Sequence, residues 1–308
     1  MIVSFDIGGS AIKGGVARSE TDIVPLARRP TPGNDFGQFV DTLRALIAEA
    51  GERPDCLSFS IAGVVDPDTQ AITCANIPCV HGRNLGADLE AELGYPILIA
   101  NDADCFAMAE AMSGAGRGHR IVFGAILGTG VGGGLVADGR LVNAAGGFAG
   151  EWGHGPIIAS FAGTPPVAIP AYPCACGQKG CVDTIGGARG LERLHRLVHD
   201  TDLRSEEIID LWVKGDEQST RTLDVYMDLV SPPLALTINI TGATIVPVGG
   251  GLSNSEHLLA RLDREVRRRI LRKFDRPLIV ASQCRVEPGL IGAALLGLNH
   301  VQEQTHAA

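Results

Sequence analysis

The hydrophobic positions of this 308-residue chain fall into short apolar runs and into longer stretches with apolar residues at helical spacing. Apolar runs at residues 2–5 and 97–100 predict buried strands. The second run leads into a predicted helix over residues 103–113, and the spacing predicts further helices over residues 256–274 and 290–299. The polar and glycine-rich motifs of the chain therefore lie at the ends of predicted strands.

Two glycine-rich turns each join a pair of predicted strands. Gly8-Gly9-Ser10 follows the first strand, and Gly128-Thr129-Gly130 connects apolar runs at residues 121–127 and 131–137. Glycine turns let the backbone approach a ligand closely and offer N–H groups to anionic oxygen. Asp6 precedes the first turn, where its carboxylate could reach a magnesium ion or its waters. These hairpins are candidate phosphate-binding loops, although aspartate beside glycine is also common in ordinary turns.

A third glycine cluster, Gly249-Gly250-Gly251, follows a predicted strand over residues 243–248. Three such loops at strand ends indicate one bound nucleotide, with its phosphates at the hairpins and its base and ribose near the third loop. No cluster fits the P-loop pattern G-x-x-x-x-G-K-[ST], or the dinucleotide pattern G-x-G-x-x-G with a following acidic residue. A P-loop or Rossmann site is therefore disfavoured.

Asn101 and Asp102 lie where a predicted buried strand meets the N-terminus of a predicted helix. A polar group at such a junction can extend into a binding cleft. The alternative is that Asp102 only caps the helix. The pair is therefore a candidate site whose role depends on the surrounding motifs.

A cluster of cysteines provides candidate metal ligands. Cys174, Cys176 and Cys181 lie within eight residues, and His154 lies twenty positions before the first of them. Thiolates and an imidazole are the ligands of closed tetrahedral zinc sites, so we predict a structural Zn²⁺ that orders this loop without taking part in chemistry. The alternatives are disulfides or buried reduced thiols. Disulfides are disfavoured because the remaining cysteines lie singly in apolar stretches, as reduced core residues do: Cys56, Cys74, Cys79, Cys105 and Cys284.

Composition narrows the class of protein. Hydrophobic residues make up 45% of the chain, which at this length favours two moderate cores over one large core. The formal net charge of −9 argues against nucleic acid as a partner, because binding to a phosphate backbone requires a basic face. No apolar run approaches the ~20 residues of a membrane span, and no basic segment precedes the first strand. We therefore expect a cytoplasmic protein with no membrane partner.

Together these motifs resemble those of the ROK family of sugar kinases and repressors, and the resemblance covers essentially the whole chain. Its most specific motifs, in chain order, are Asp6-Ile-Gly-Gly-Ser-x-x-Lys13, Asn101-Asp102, Leu127-Gly-Thr-Gly-Val-Gly-Gly-Gly134, Gly150-Glu-Trp-Gly-His154 and the cysteine cluster ending in Cys181-Val-Asp183. The resemblance implies a two-domain α/β fold of the actin-like, ribonuclease-H-like ATPase class, with an interdomain cleft that closes on the sugar and excludes water.

The resemblance also implies domain limits, cofactors and partners. A smaller N-terminal domain would span residues 1–115 and be rejoined by residues 290–308, and a larger domain would span residues 116–289. ATP and Mg²⁺ would be the cofactors beside the structural Zn²⁺, and a small sugar would be the second substrate. Homodimerisation through the larger domain is the family expectation.

Roles for individual residues follow from the same resemblance. Asp102 would be the general base that takes the proton from the sugar 6-hydroxyl as this attacks the γ-phosphate of ATP. Asn101 would hydrogen-bond a neighbouring hydroxyl, and His154 would use one ring nitrogen for zinc and the other for sugar. Further sugar contacts are implied for Gly63, Asn76, Glu151 and Asp183. Nucleotide contacts are implied for Asp6, Ile7, Gly8, Gly9, Ser10, Lys13, Gly128, Thr129, Gly130, Val131, Gly132, Gly133, Gly250 and Gly251.

Local features are most similar to the ROK kinases that phosphorylate N-acetyl-D-glucosamine. These features are Ala75-Asn-Ile-Pro78, the long stretch between His154 and Cys174, Gly215-Asp-Glu-Gln218 and Gly249-Gly-Gly-Leu-Ser-Asn254. Glucokinase, N-acetylmannosamine kinase and fructokinase activities stay open as alternatives. A sugar-responsive repressor is disfavoured, because Asp6 already lies in the first strand and leaves no room for a helix-turn-helix before it.

Two positions depart from the family pattern. The family usually has glutamate where this chain has Asp183, which is one methylene shorter, so its contact with the sugar is in doubt. The first hairpin has Gly9-Ser10 in place of the usual Gly-Thr, which keeps a hydroxyl group.

Overall fold

The computed structural model describes the backbone of residues 1–307 and the side chains of residues 1–305. The chain forms two compact units. Unit 1 consists of Met1–Gly118, Gly134–Ala149 and the described residues from Cys284 onward. Unit 2 consists of His119–Gly133 and Gly150–Gln283.

Strands and helices are numbered in chain order. The strands are β1 (Ile2–Ile7), β2 (Ala11–Ser19), β3 (Asp22–Pro30), β4 (Cys56–Ile61), β5 (Val64–Val65), β6 (Ile72–Thr73), β7 (Ile97–Asn101), β8 (Ile121–Leu127), β9 (Val131–Ala137), β10 (Arg140–Leu141), β11 (Phe161–Ala162), β12 (Val167–Ala168), β13 (Val246–Gly249) and β14 (Ile279–Ala281). The helices are α1 (Phe36–Glu49), α2 (Leu85–Leu93), α3 (Asp102–Ser113), α4 (Asp183–Gly186), α5 (Ala188–His199), α6 (Ser205–Val213), α7 (Glu217–Thr241), α8 (Glu256–Arg267) and α9 (Pro288–Ala307), with a 3₁₀ helix over Gly251–Asn254. Within residues 1–307, no helix combines the length and the apolar character required to cross a membrane.

The sheet of unit 1 has the strand order β3-β2-β1-β4-β7. β1, β2 and β3 are antiparallel neighbours, whereas β4 and β7 run parallel to β1. The register pairs Ile7 with Ile61 and Ile61 with Asn101. The carboxyl ends of β1, β4 and β7 therefore meet at one edge, which is where ligands bind to parallel α/β sheets.

Helices cover both faces of this sheet. Phe5 and Phe59 stack with their ring centroids 4.8 Å apart, in a cluster that includes the buried face of α1. Ile2 points to the opposite face, because side chains alternate along a strand, and packs in a second cluster with Ala294 of α9. α9 also packs closely against α3, where Gly292 contacts the backbone at Cys105. The edge that carries Asn101 and Asp6 is thereby supported from both sides.

The contact between α3 and α9 makes a stability prediction. A Cβ atom at Gly292 would overlap the carbonyl oxygen of Cys105, a backbone atom that cannot turn aside. We expect Gly292→Ala to lower the free energy of unfolding by about 1–3 kcal/mol or more. Gly86→Ala is the matched control, because Gly86 also lies in a helix but the nearest atom to its added Cβ would be 3.9 Å away, an ordinary van der Waals contact. The control should be neutral or stabilising by about 0.4–1 kcal/mol; equal urea midpoints for both variants would contradict the prediction.

The second sheet has the strand order β10-β9-β8-β13-β14, and β9 begins in unit 2 and ends in unit 1. β13 runs parallel to both β8 and β14 and pairs Gly249 with Ile126. Around it, the buried Tyr226 of α7 donates a hydrogen bond to the carbonyl of Gly186 at 2.7 Å. Because β8 and β13 are parallel, the second and third glycine clusters follow neighbouring strand ends.

The structure confirms some of the predicted elements and corrects others. The strands predicted over residues 121–127 and 131–137 are confirmed as β8 and β9. The helix predicted over residues 256–274 begins at Glu256, but its predicted end is wrong, since α8 stops at Arg267. Asn239 accepts the Leu271 N–H at 2.9 Å, and in a continued helix this N–H would bond to the carbonyl of Arg267. The last helix is longer than predicted and begins at Pro288.

One segment lies in a different unit from the domain predicted for it. Gly134–Ala149 belongs to unit 1, whereas the sequence prediction included it in the larger domain. Asn143 donates to the buried carboxylate of Asp104 at 3.1 Å, and a Cβ at Gly134 would lie 2.7 Å from the carbonyl oxygen of Ala103. These contacts attach the segment to α3 and join residues far apart in the chain, so no local pattern indicates them.

Candidate active site

Asp102 is the first residue of α3 and directly follows β7. Asn101 caps the helix, because its side-chain oxygen accepts the Ala103 N–H at 2.8 Å. The amide of Asn101 also donates to the carbonyl of Gly63 at 3.0 Å, which brings together two residues implied to contact sugar. Asp102 accepts the same Ala103 N–H at 3.0 Å but is not the cap residue. Helix capping therefore does not account for the Asp102 carboxylate.

A cavity of about 280 Å³ at the carboxyl edge of the unit 1 sheet is lined by Asp102 together with Asp6. The other lining residues are Ile7, Gly8, Ser10, Ala11, Lys13, Arg28 and Ala62. The structure thus places the implied base and the first glycine loop on one shared void. Such an arrangement suits a reaction in which a base and a phosphate must meet.

Asp6 is held in this cavity by two side chains. Its carboxylate accepts a hydrogen bond from Ser60 at 3.1 Å and lies 3.3 Å from the ammonium nitrogen of Lys13. Lys13 also forms an ion pair with Glu287 at 2.6 Å. Burial alone would lower the pKa of Lys13, but the hydrogen bond to Glu287 and the charge of Asp6 raise it overall, so the side chain carries its positive charge.

The first glycine loop is fixed by its neighbours. The Gly8 N–H donates to the carbonyl of Ala11 at 3.0 Å, and Thr31 donates its hydroxyl to the carbonyl of Gly8 at 2.7 Å. Gly9 lies against Asn76, where an added Cβ would be 3.1 Å from the Asn76 carbonyl oxygen. Asn76, implied to contact sugar, is therefore brought to the loop implied to contact nucleotide.

The second and third glycine loops meet in unit 2. Gly250 has φ +86° and packs so closely on Leu127 that a Cβ there would overlap the Leu127 carbonyl group, so only glycine fits. The N-terminus of α5 reaches the same place, because the Ala188 N–H donates to the carbonyl of Gly128 at 2.8 Å. A helix N-terminus beside two glycine turns favours an anionic ligand.

The Gly150–His154 turn packs on β9. The indole N–H of the buried Trp152 donates to the carbonyl of Gly132 at 2.8 Å, and a Cβ at Gly133 would lie 2.8 Å from the Trp152 ring. The absence of a Cβ at Gly133 thus makes the close approach of this turn possible, and Gly132 contributes its carbonyl group; both glycines are implied to contact nucleotide. Glu151 lies 3.6 Å from Nε2 of His154. Burial raises the pKa of the Glu151 carboxyl, and His154 partly opposes the rise.

The candidate metal ligands are brought together in unit 2. One ligand atom from each of His154, Cys174, Cys176 and Cys181 lies within 4.8 Å of the other three. Nδ1 of His154 is 3.6 Å from Sγ of Cys174, and the sulfurs of Cys176 and Cys181 are also 3.6 Å apart. Two thiolates bound at about 2.3 Å to a tetrahedral ion lie about 3.8 Å apart. All eight cysteines are free thiols, so this group could hold a metal ion.

Asp183 connects the metal-ligand cluster to the second glycine loop. One carboxylate oxygen accepts the Val131 N–H at 2.8 Å, and the other lies 3.7 Å from Sγ of Cys174. A Cβ at Gly130 would overlap this carboxylate. Both oxygens of Asp183 therefore have protein neighbours, at the one implied sugar contact that departs from the family pattern.

Sequence reasoning missed one residue that lines the cavity and one partner of a lining residue. Arg28 lines the cavity from β3, and Glu287 reaches Lys13 from the residue before α9. Glu287 has φ +49°, which is uncommon for a residue other than glycine. The pairing of Lys13 with Arg28 in the β2–β3 register could have indicated Arg28 once the hairpin was predicted. No comparable signal exists for Glu287, which is 274 positions from its partner.

Solved structures place this geometry in a known class. The chain matches the ROK hexokinase of Thermus thermophilus with a TM-score of 0.83 and 27% identity, over 98% of this chain and 99% of that one. It matches a ROK family glucokinase of Streptomyces griseus, solved with glucose and AMPPNP, with a TM-score of 0.72 and 26% identity, over 97% and 99% of the two chains. The fold is thus the α/β, actin-like and ribonuclease-H-like ATPase fold of these proteins, which confirms the predicted fold class.

Sequence comparison identifies the family. The ROK family pattern matches residues 2–300, and the N-acetyl-D-glucosamine kinase of Photobacterium profundum is 35% identical over 303 residues. That alignment covers 97% of this chain and 99% of the relative. The chain belongs to the ROK family.

Proposed function

We propose that this protein is an ATP-dependent N-acetyl-D-glucosamine kinase, which converts the sugar and ATP to N-acetyl-D-glucosamine 6-phosphate and ADP. The observation that carries the proposal is the cavity shared by Asp102, Asp6 and the first glycine loop. The 35% identity to an N-acetyl-D-glucosamine kinase over nearly the full length of both chains supports the choice of sugar.

In the proposed reaction Asp102 accepts the proton of the 6-hydroxyl as the oxygen attacks the γ-phosphorus of ATP and the bond to the bridging oxygen breaks. Its position at the start of α3 fixes the carboxylate in the cavity. Backbone N–H groups of the first loop would receive the phosphates. Asp6 fits Mg²⁺, since this ion is commonly held by one or two carboxylates together with substrate phosphates. When bound, Mg²⁺ would neutralise phosphate charge.

Sugar contacts are proposed for several residues, taken unit by unit. In unit 1, Asn101 precedes Asp102 and is bonded to Gly63, and Asn76 lies against Gly9 of the first glycine loop. Glu151 and Nε2 of His154 would contact the remaining hydroxyls, because these atoms do not face the cysteine cluster. We propose that Asp183 acts mainly by holding the second glycine loop, since one of its oxygens is bonded to the Val131 N–H.

The metal of the cysteine cluster is proposed to be zinc, with Cys174, Cys176, Cys181 and His154 as ligands. Three thiols and one imidazole suit Zn²⁺ better than Mg²⁺ or Ca²⁺. Burial raises the pKa of the Cys174 thiol to about 12, so a thiolate at this position requires a nearby cation, which zinc supplies. The ion would connect the turn carrying Glu151 to the cysteine loop.

Assembly and location are also proposals. Leu236 and Ile240 lie one turn apart on α7 with exposed side chains, and Leu271, whose N–H bonds to Asn239 of the same helix, is 89% exposed. Exposed apolar residues close together favour a protein interface, which supports a homodimer formed through unit 2. We propose that the protein acts in the cytoplasm, where ATP is supplied.

A coupled ADP-release assay tests the proposed function. We expect the highest kcat/KM for N-acetyl-D-glucosamine among a panel that also contains glucose, N-acetylmannosamine and fructose, with ATP and Mg²⁺ held constant. A higher kcat/KM for another sugar would show that N-acetyl-D-glucosamine is not the preferred substrate, but it would leave the proposed sugar kinase reaction intact. No ADP release with any of the four sugars would contradict the proposed function itself.

A further inference from the structure

Arg28 lines the cavity and has no part in the reaction proposed so far. It is the cross-strand neighbour of Lys13 in the β2–β3 pairing and lines the same cavity as Asp6 and Asp102. The end of β3 is held at the first glycine loop, because Thr31 donates its N–H to the carbonyl of Ser10 at 3.3 Å and its hydroxyl to that of Gly8 at 2.7 Å. The backbone that carries Arg28 is therefore fixed beside the proposed phosphate site.

The charges around the cavity distinguish its two cations. The ammonium of Lys13 is already engaged by two carboxylates, Glu287 at 2.6 Å and Asp6 at 3.3 Å. The side chain of Arg28 makes no hydrogen bond or ion pair with any residue whose side chain the structure describes. The next residue, Arg29, is instead paired with Glu49. In the described part of the chain, Arg28 is thus the cationic residue of the cavity lining that has no anionic partner.

From this placement we propose that Arg28 is a further catalytic residue, which binds the phosphoryl group during its transfer next to Asp102. The inference rests on the proposed kinase function and adds a residue to it. A guanidinium group presents two parallel N–H donors that match two phosphate oxygens, and it keeps its charge at any working pH. Its positive charge offsets the negative charges of Asp102 and Asp6, which would otherwise repel the incoming phosphate.

The proposal distinguishes the terminal phosphate from the others. Because the group that is transferred must lie beside the base, Arg28 contacts the γ-phosphate of ATP and has no counterpart contact in ADP. Arg28→Gln is therefore expected to weaken ATP binding, measured calorimetrically with Mg²⁺, while the affinity for ADP stays unchanged. The kcat/KM for ATP should fall on the order of 10- to 100-fold, the usual effect of losing hydrogen bonds to a charged group. Arg28→Lys keeps the charge but loses the paired donors, so its kcat/KM for ATP should lie between those of the wild type and of Arg28→Gln.

Arg29→Gln is the matched control, because it removes the same group one residue further along β3, where the side chain pairs with Glu49. Arg28 is exposed, so the thermal midpoint of each variant should equal that of the wild type. If Arg28→Gln and Arg29→Gln have the same kcat/KM and the same ratio of ATP to ADP affinity, the proposal is overturned. If the wild-type protein phosphorylates no sugar, the kinase function is contradicted instead. In that case the ATP and ADP affinities of Arg28→Gln would still test whether Arg28 contacts the terminal phosphate.

Discussion

Replacing Asp102 with asparagine is expected to lower kcat by 100-fold or more, with little change in the affinity for sugar or ATP. Removal of a general base typically costs about 10²- to 10⁴-fold in rate. The asparagine is nearly the same size, and its side-chain oxygen can still accept the Ala103 N–H that Asp102 accepts at 3.0 Å. The fold of the cavity is therefore expected to persist while proton transfer is lost.

The measurement combines ADP release under saturating substrates with calorimetric binding of N-acetyl-D-glucosamine. Asp41→Asn is the matched control, since Asp41 is an exposed carboxylate of unit 1 that pairs with Arg44 on the same helix. The control should retain wild-type kcat. An Asp102→Asn protein with kcat within threefold of the wild type would reject Asp102 as the base. A variant that also lost sugar binding would show that Asp102 serves mainly in recognition.

The second large effect is expected at the cysteine cluster. Cys176→Ser should reduce the zinc content from about one ion per chain to well below one and lower the thermal midpoint. The sulfur of Cys176 lies 3.6 Å from that of Cys181, so its loss removes one of the four converging candidate ligands. Metal binding contributes directly to folding free energy, so loss of the ion should destabilise the folded protein and lower the thermal midpoint.

Cys79→Ser is the control for this experiment. Cys79 is half-buried in unit 1 and its sulfur contacts the carbonyl of Pro32, outside the metal-ligand cluster. Metal content by mass spectrometry and the thermal midpoint should match those of the wild type. Equal zinc content and stability in Cys176→Ser and Cys79→Ser would show that the four residues do not bind zinc. Chelation of the wild type with EDTA should reproduce the loss seen in Cys176→Ser.

The local elements of the site could be predicted because their signals lie within a few residues. The β8–β9 hairpin required only two apolar runs and a glycine turn between them, and the start of α3 required only a polar residue after an apolar run. The end of α8 could not be predicted in this way. The side chain of Asn239, which lies 32 positions earlier, takes the backbone N–H that would have extended the helix.

The charged groups of the cavity likewise combine residues that local motifs indicate with a contact that only the fold creates. Recognisable motifs contain Asp6, Lys13 and Asp102. The partner of Lys13, however, is Glu287, which the fold brings from the other end of the chain. Without that ion pair, the Lys13 ammonium would be available to phosphate in the same way as the Arg28 guanidinium. The difference between an engaged and an available cation depends on distances that no sequence pattern contains.

By itself, the sequence determined the family, the order of the phosphate loops and the identity of the four metal-ligand candidates, because glycine turns, strand ends and cysteine spacing are local properties. Only the tertiary structure decided that Asn101 rather than Asp102 caps α3, that Gly134–Ala149 joins unit 1, and that Arg28 faces the cavity that Asp102 lines. The first outcome depends on two neighbouring side chains that compete for the same backbone N–H, and the other two depend on contacts between residues far apart in the chain. Both the competition and the contacts are settled only when the chain is packed.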